Sequence, residues 1–338
     1  MSKVTRLDYC QFLLVSQTNY TLTYCAEHSP GFSHDAVKRY MEDEKLTARM
    51  VWENVRGQVV RSEGGYLAFD DTVLDHHSSF QIELVRRQYS GNAHAVIKGI
   101  GVVTGVYINP ETDQFGIIDY RIYDPERDGK TQLDQVRERL DNALSDKGLP
   151  FRGVLIDTWY AERKLMLHIE RLHKVYDCPL KDNRQVDESG GERGYQRGDS
   201  LKWTECEVQH GKTLHIKDFP KGHQVKLFRL VLSPKRTDYV ATNDMAQDST
   251  QDTQDVCALR WKIEQFHRET KQVTGIEGCQ CRLARIQRNH IGCAILVWVR
   301  LKQLAQETAS TLYQLKQGLL DDYLRSQLRS PAIKMQFA

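Results

Sequence analysis

A few acidic positions in this chain stand where a carboxylate can do more than solvate a surface. Asp70 and Asp71 close the apolar run YLAF, Asp157 closes the apolar run GVLI, and Glu264 lies inside the periodic segment ALRWKIEQFHRETK. Carboxylate oxygens are the ligands that hard divalent cations prefer, and Mg²⁺ typically takes one or two of them together with phosphate oxygens. Three such acids, brought together by folding, can hold two ions about 4 Å apart, one beside the attacking oxygen of a phosphodiester and one beside the leaving oxygen. Asp70 and Asp71 point to opposite faces if their segment is a strand, so spacing alone does not choose between them.

The segment around Glu264 carries a second signal. At about 100° per residue, Arg260, Glu264 and Lys271 fall within about 40° of one another, while Leu259, Ile263, Phe266 and Val273 gather on a different face. The apolar face can dock. The narrow stripe shows a guanidinium, a carboxylate and an ammonium in line, which suits a phosphodiester backbone. The same spacing also describes an ordinary surface helix with an i,i+4 Arg–Glu pair.

Composition narrows what can position these groups. The chain has 338 residues, 40% hydrophobic and 27% charged, a globular balance for about two domains. The longest apolar run, Ile291 to Val299, falls short of the roughly 20 residues a bilayer span needs. The start MSKVTRLDYC lacks the apolar core of a signal peptide, so a cytoplasmic protein with no membrane partner is expected. The eight cysteines form no paired framework and read as reduced thiols. Cys206 and His210, with His215, His223 and Cys178 nearby, lack the two tight ligand pairs of a zinc site. Net charge is only +2, yet nine Lys or Arg face three acids between Arg260 and Lys302. Charge distribution, more than its sum, marks a nucleic-acid surface.

Five regions follow from the patterning. Residues 1–60 read as helical: one periodic stretch from Leu7 to Ala26, a Ser-Pro-Gly breaker, a second helix capped by Ser33, and a third capped by Thr47. The middle of that region has the outline of a helix-turn-helix that would turn Ser33, His34, Lys38 and Arg39 toward DNA; a helical cap with solvated charges fits equally. In residues 61–180 come three strand-like runs, a helix over 130–147, the buried strand 153–157 and a helix over 161–176, an order that suits a sheet covered by helices. Residues 181–250 read as a β-rich insertion, with LKWTECEVQ, KTLHIKDF, QVKLFRLVLS and DYVATN as strands. Residues 251–305 hold one long helix around 255–273 and another over 282–306. A helical tail, 306–338, ends the chain.

These blocks together resemble the DDE insertion-sequence transposases whose signature helix carries tyrosine, arginine, glutamate and lysine at Tyr-x2-Arg-x3-Glu-x6-Lys. Here those positions are Cys257, Arg260, Glu264 and Lys271, so cysteine stands where the family has tyrosine. FDDTVLDHH resembles the first aspartate block, in which the aspartate before threonine is the metal ligand, and this selects Asp71. LIDTWYA resembles the second block and selects Asp157. SGNAHAVIKGIGVV and CQCRLARIQRNHIGCAI also resemble segments of that family.

The resemblance implies an α/β, RNase H-like mixed sheet with flanking helices, interrupted by a β-rich insertion and preceded by an N-terminal helical domain. It implies Asp71, Asp157 and Glu264 as both catalytic groups and metal ligands, with two Mg²⁺ ions and Mn²⁺ as a substitute. It implies DNA as partner, both the element's terminal inverted repeats and a target, and a homodimer in the DNA complex. The setting implied is a bacterial cytoplasm, with nucleoid association when DNA is bound. Arg260 and Lys271 would hold phosphates of the transposon end. Arg268, His267 and the arginines 282, 285 and 288 would add contacts, although a solvated face also explains those three arginines, and Trp203 in the insertion would either stack on a flipped base or pack in a core. His76 and His77 could line the site, and His290 reads as a satisfied helix histidine. Two other functions remain open at this point: a nuclease of the same fold without strand transfer, and a catalytically decayed protein that still binds DNA ends.

Overall fold

A computed structural model describes residues 3–77, 81–234 and 236–334. Four short helices come first: α1 (Arg6–Val15), α2 (Leu22–His28), α3 (His34–Asp43) and α4 (Ala48–Val55). Each begins at a hydroxyl, Thr5, Thr21, Ser33 or Thr47, that accepts from the backbone N–H three residues on. The single periodic helix expected over 7–26 is therefore two. Between them Ser16 Oγ donates to the Asn19 carbonyl at 2.6 Å and Asn19 Oδ1 accepts from the Thr21 N–H at 3.0 Å, local bonds that compete with the helical ladder.

Next come β1 (Tyr66–Asp75), β2 (Arg86–Ser90), β3 (Ala95–Asn109), β4 (Gln114–Ile122), α5 (Pro125–Asp128), α6 (Gln132–Ser145), β5 (Gly153–Leu155), α7 (Arg163–Arg171) and β6 (Val175–Leu180). They are followed by β7 (Gln185–Asp187), β8 (Gln196–Arg197), α8 (Glu205–His210), β9 (Lys212–Ile216), β10 (Val225–Ser233) and β11 (Arg236–Thr242). Helices α9 (Thr250–Leu259), α10 (Trp261–Val273), α11 (Ala284–Glu307) and α12 (Leu312–Arg329) complete the order.

The chain divides into two compact units. One holds Val59–Asp71 and Val103–Gln265. Its sheet runs β3-β1-β5-β6-β11-β10-β9-β7-β8, with β4 also on β3. β1, β5 and β6 are parallel neighbours, and α7 makes the crossover that parallel β5 and β6 require. From β6 outward every pairing is antiparallel. The strands after β6 thus continue the central sheet: Tyr239 lies opposite Leu180 and Thr242 opposite Asp177. α6 packs on β4 and α7, and α7 packs on β6. This is the RNase H-like mixed sheet with flanking helices expected from the sequence.

Inside this unit Phe69 is fully buried, and a Cβ at Gly105 would meet its ring at 2.7 Å, so only glycine lets β3 pass the residue that precedes the acids. Asp119 on β4, 5% exposed, anchors α6: Lys147 Nζ lies 3.1 Å away, Arg121 Nη1 3.3 Å, and the buried Arg139 3.8 Å. Burial lowers the Arg139 pKa to about 10 despite Asp119.

Three local readings change. The helix expected over 161–176 stops at Arg171, because His173 takes φ +55, and KVYDCPL becomes β6 with Tyr176, Asp177 and Cys178 buried. The alternation in TECEVQ suggests a strand, but Thr204 and Glu207 form a reciprocal capping box and start α8 instead. The helix expected over 255–273 breaks at Arg260. There the Arg260 N–H bonds the Cys257 carbonyl and the Ile263 N–H bonds the Arg260 carbonyl, both at 3.1 Å, a tighter turn between α9 and α10.

The other unit holds the residues up to Gln58, Thr72–Val102 and those from Phe266 onward. α11 is its axis, packed by α1, α3, α4 and α12. Asn289 ties it down, accepting from the Leu46 N–H at 3.0 Å and donating to the carbonyls of Met41 and Glu44 at 2.8 and 2.7 Å. His290 is fully buried and satisfied, with the Tyr9 hydroxyl 2.8 Å from Nδ1 and the Gly275 carbonyl 2.9 Å from Nε2. β2 pairs antiparallel with the first residues of β3. Among the described residues no helix is long and apolar enough to cross a membrane.

Candidate active site

β1 runs through its two acids rather than ending at them. The Asp71 N–H donates to Asp70 Oδ1 at 2.9 Å, and strand alternation sends the side chains to opposite faces. Asp70 Oδ2 lies 3.8 Å from Arg260. Asp71 Oδ1 accepts from the Tyr160 hydroxyl at 3.0 Å. Asp157 follows β5, and its Oδ1 accepts from the N–H groups of Trp159 and Tyr160 at 2.9 and 3.0 Å, an Asx turn that fixes the carboxylate over the chain behind it. Tyr160, fully buried, therefore holds two acids at once: Asp157 through its backbone and Asp71 through its phenol.

Nothing in the sequence singled out Tyr160. Its two-acid role depends on β1 and β5 being parallel neighbours, which no local pattern displays.

Burial drives the acids toward their protonated forms. It raises the Asp70 carboxyl well above the usual range, Asp157 and Asp71 push it further, and Arg260 pulls it back. Burial also raises Asp71, opposed by the Tyr160 hydrogen bond and reinforced by Asp157. Asp157 is raised by burial, with backbone hydrogen bonds and Arg260 opposing and Glu264 reinforcing. Asp177 on β6, also buried, is pushed up to about 6 by desolvation.

Arg260, at the helix break, is the cation that faces this group. Its Nη2 donates to Glu264 Oε1 at 3.0 Å while Nη1 reaches toward Asp70. The i,i+4 pair is the one the spacing describes, and Arg260 links it to the strand acids. Among the described residues no three His, Cys, Asp or Glu side chains stand close enough to enclose an ion by themselves, and Glu264 is turned to Arg260. The donor set still fits a hard divalent cation: the donors are carboxylate oxygens, largely withdrawn from water, whose negative charges raise one another's proton affinity. Cys257 packs against Phe228, Leu230 and Val240, and burial pushes its thiol pKa up, so it is an inert apolar contact.

The remaining candidates lie in varied settings. Lys271 donates to the Val73 carbonyl at 2.7 Å and pairs with Glu277 at 3.1 Å, and it is only 16% exposed. His267 is buried beside Phe266, inside its unit, while Arg268 is exposed. Trp203 is half-buried, 6.4 Å from the Tyr239 ring, with the Lys212 ammonium over it. Lys38 and Arg39 are exposed on α3, with Val37 and Met41 turned to the core. His76 is buried, and His77 is exposed with Nδ1 3.2 Å from Asp75. Arg282 and Arg285 are exposed and Arg288 half-buried. His210 and His215 turn Nδ1 to backbone carbonyls and His223 faces Glu170, so these rings are already engaged.

Comparison with known proteins bears on the whole arrangement. Eight chains of solved structure match this one. The cryo-EM structure of a piggyBac transposase synaptic complex with hairpin DNA is similar at TM-score 0.51 and 12% identity, covering 97% of this chain and 73% of that one. At that identity the likeness is one of fold. Endonuclease V of Ciona intestinalis, in complex with a 24mer DNA containing an inosine followed by a ribo-adenosine, matches at TM-score 0.26 and 14% identity, covering 76% of this chain and 96% of that one. No curated protein matches the sequence. The family profile described as "Transposase DDE domain" matches residues 62–300, a span that includes Asp70, Asp71, Asp157, Arg260 and Glu264, and the chain belongs to that family.

Proposed function

We propose that this protein is the transposase of a mobile DNA element, cutting DNA at the element's ends and transferring the freed 3′-hydroxyls into target DNA. The observation that carries the reading is the meeting of Asp70, Asp71 and Asp157 with the Arg260–Glu264 pair, from segments far apart in the chain, within a transposase DDE domain. Asp71, Asp157 and Glu264 are the proposed metal ligands and catalytic groups, for two Mg²⁺ ions with Mn²⁺ as substitute. Divalent ions there would lower the pKa of the attacking hydroxyl or water and stabilise the leaving oxygen.

The chain's own residues do the rest. Tyr160 keeps Asp71 and Asp157 oriented and favours their ionised forms. Glu264 would exchange Arg260 for the cation, which frees the guanidinium to hold a phosphate of the DNA end. Arg260, Glu264 and Lys271 are proposed to be the arginine, glutamate and lysine of the signature helix, with Cys257 supplying packing where the group has tyrosine. Further DNA contacts are assigned to Arg268, His267, Trp203, Lys38 and Arg39, the last two on an N-terminal DNA-binding region over 1–60. The partition into a catalytic domain over 61–180 and 251–305, an insertion over 181–250 and a tail over 306–338 belongs to the same reading, as does a homodimer on paired ends.

The test uses purified protein, a labelled duplex carrying the element's end, and Mg²⁺ or Mn²⁺, with Glu264→Gln alongside. Cleavage by the unaltered protein only, followed by joining to a plasmid, supports the proposal. Cleavage without joined products indicates a nuclease, and binding without cleavage in either metal indicates a decayed end-binding protein. Cleavage by Glu264→Gln removes Glu264 from the ligand set.

A further inference from the structure

Trp159 stands two residues from Asp157 and leaves 60% of its surface in solvent. A large aromatic held in water keeps a flat apolar face that another ring can cover. Its attachment is well defined: the Trp159 N–H donates to Asp157 Oδ1 at 2.9 Å. The Lys181 ammonium lies 5.6 Å from the ring centroid. Thr158 and Lys181 also line an open cleft of about 500 Å³, together with Asp182, Asn183, Arg197 and Arg236. That volume lies within the range of small-ligand sites.

Two of the lining guanidiniums are held flat. Asp199 grips Arg197 through two oxygens at 2.9 and 2.5 Å, and Asp238 grips Arg236 at 3.0 and 2.9 Å. Planar forks fixed in this way present a face and spare N–H groups to a ligand.

We propose that Trp159, with Lys181, Arg197 and Arg236, forms a platform that holds one unpaired nucleotide of a DNA strand beside the carboxylate cluster. This rests on the reading of the protein as a DNA-cutting enzyme. An aromatic face takes a base, cations take the adjoining phosphate, and that pairing of groups is how proteins bind single strands without reading sequence. Asn183 and Asp182 offer a base edge both donors and acceptors. A paired base in a duplex keeps its faces stacked on its neighbours and leaves the indole unused, so the nucleotide must be unpaired.

The test uses the full chain without added metal and two probes, a 12-nucleotide oligothymidine and a 20-base-pair duplex. Trp159→Ala is expected to weaken oligothymidine binding about 5- to 160-fold, the range that loss of one stacked base gives, and to leave duplex binding within about twofold. Trp159→Phe keeps an aromatic face and should bind within a fewfold of the unaltered protein. It should also show less of the fluorescence quenching that oligothymidine causes in the unaltered chain, by the share that Trp159 contributes. Lys181→Ala should lower the slope of log affinity against log salt by about 0.7. The platform is refuted if Trp159→Ala binds oligothymidine like the unaltered protein, or if Trp159→Phe is quenched equally. Failure to bind either probe overturns the DNA-cutting reading and the platform with it. Binding of both probes with no effect of Trp159→Ala overturns the platform alone.

Discussion

Tyr160→Phe isolates one hydrogen bond in the carboxylate cluster. The ring is fully buried, so phenylalanine fills the same space, and the backbone N–H that holds Asp157 is untouched. What disappears is the hydroxyl that donates to Asp71 Oδ1 at 3.0 Å. That bond opposes the burial that raises the Asp71 carboxyl, so losing it raises that carboxyl further. A hydrogen bond to a charged group is worth about 1.5–3 kcal/mol, which corresponds to about 1–2 pH units. The rate of end cleavage, followed from pH 5.5 to 9, should therefore show its acid limb displaced upward by about 1–2 units. Because protons and cations compete for the same oxygens, the metal concentration at half-maximal rate should rise about 10–100-fold near neutrality, with the rate largely restored at high metal and high pH. A purely structural tyrosine would change thermal stability without moving either midpoint. An acid limb and a metal midpoint that both stay where they are in the unaltered protein would refute this role for the Tyr160 hydroxyl.

Substituting the paired acids separately tests which one binds metal. Asp71→Asn should abolish cleavage, whereas Asp70→Asn should weaken apparent metal affinity about 10–100-fold and keep cleavage at high Mn²⁺; the reverse pattern in a metal titration would move the ligand to Asp70. Asp119→Asn should cost about 3–5 kcal/mol in urea unfolding, because Arg139 is left buried without its counter-charge. An unchanged midpoint would show that Lys147, Arg121 and Arg139 do not depend on Asp119. His290 has its pKa lowered to about 4 by burial. The unfolded chain therefore takes a proton that the folded chain refuses as pH falls from about 6.5 to about 4. Stability should drop by about 3 kcal/mol across that window and level off below it. Melting curves of His290→Gln should lack that part of the slope, and an equal slope in both proteins would refute the assignment.

What the sequence showed of this site was its chemistry, and what it hid was its pairing. The strand runs HAVIKGIGVVTGVYI and FGIIDYRIYD and the amphipathic helix after them appear as β3, β4 and α6 because each is long and its period is unambiguous. The helix expected over 161–176 overruns the start of β6, since KVYDCPL follows a strongly periodic helical segment and only the left-handed turn at His173 separates them. That overrun hid the direct pairing of β6 with β11, through which the strands after it continue the sheet. The Arg260–Glu264 pair was legible because i,i+4 contacts follow from helix geometry alone. Asp70 as a partner of Arg260, and Tyr160 as a partner of Asp71, were not, because both are contacts between segments more than eighty residues apart.

The charge balance explains why Arg260 sits at a break between helices. Asp70, Asp71 and Asp157 are withdrawn from water within one unit, and each makes ionisation of another less favourable. A site built to receive divalent cations carries that repulsion whenever it is empty. Arg260 offsets part of it through Asp70 and Glu264 together. The tight turn there, with the half-buried Cys257 against Phe228, Leu230 and Val240 on one side and Glu264 one turn further on, fixes the guanidinium between Asp70 and the helix acid. On the proposed function, the guanidinium would have two uses that cannot be served at once: counter-charge to Glu264, as it is here, or ligand to a phosphate.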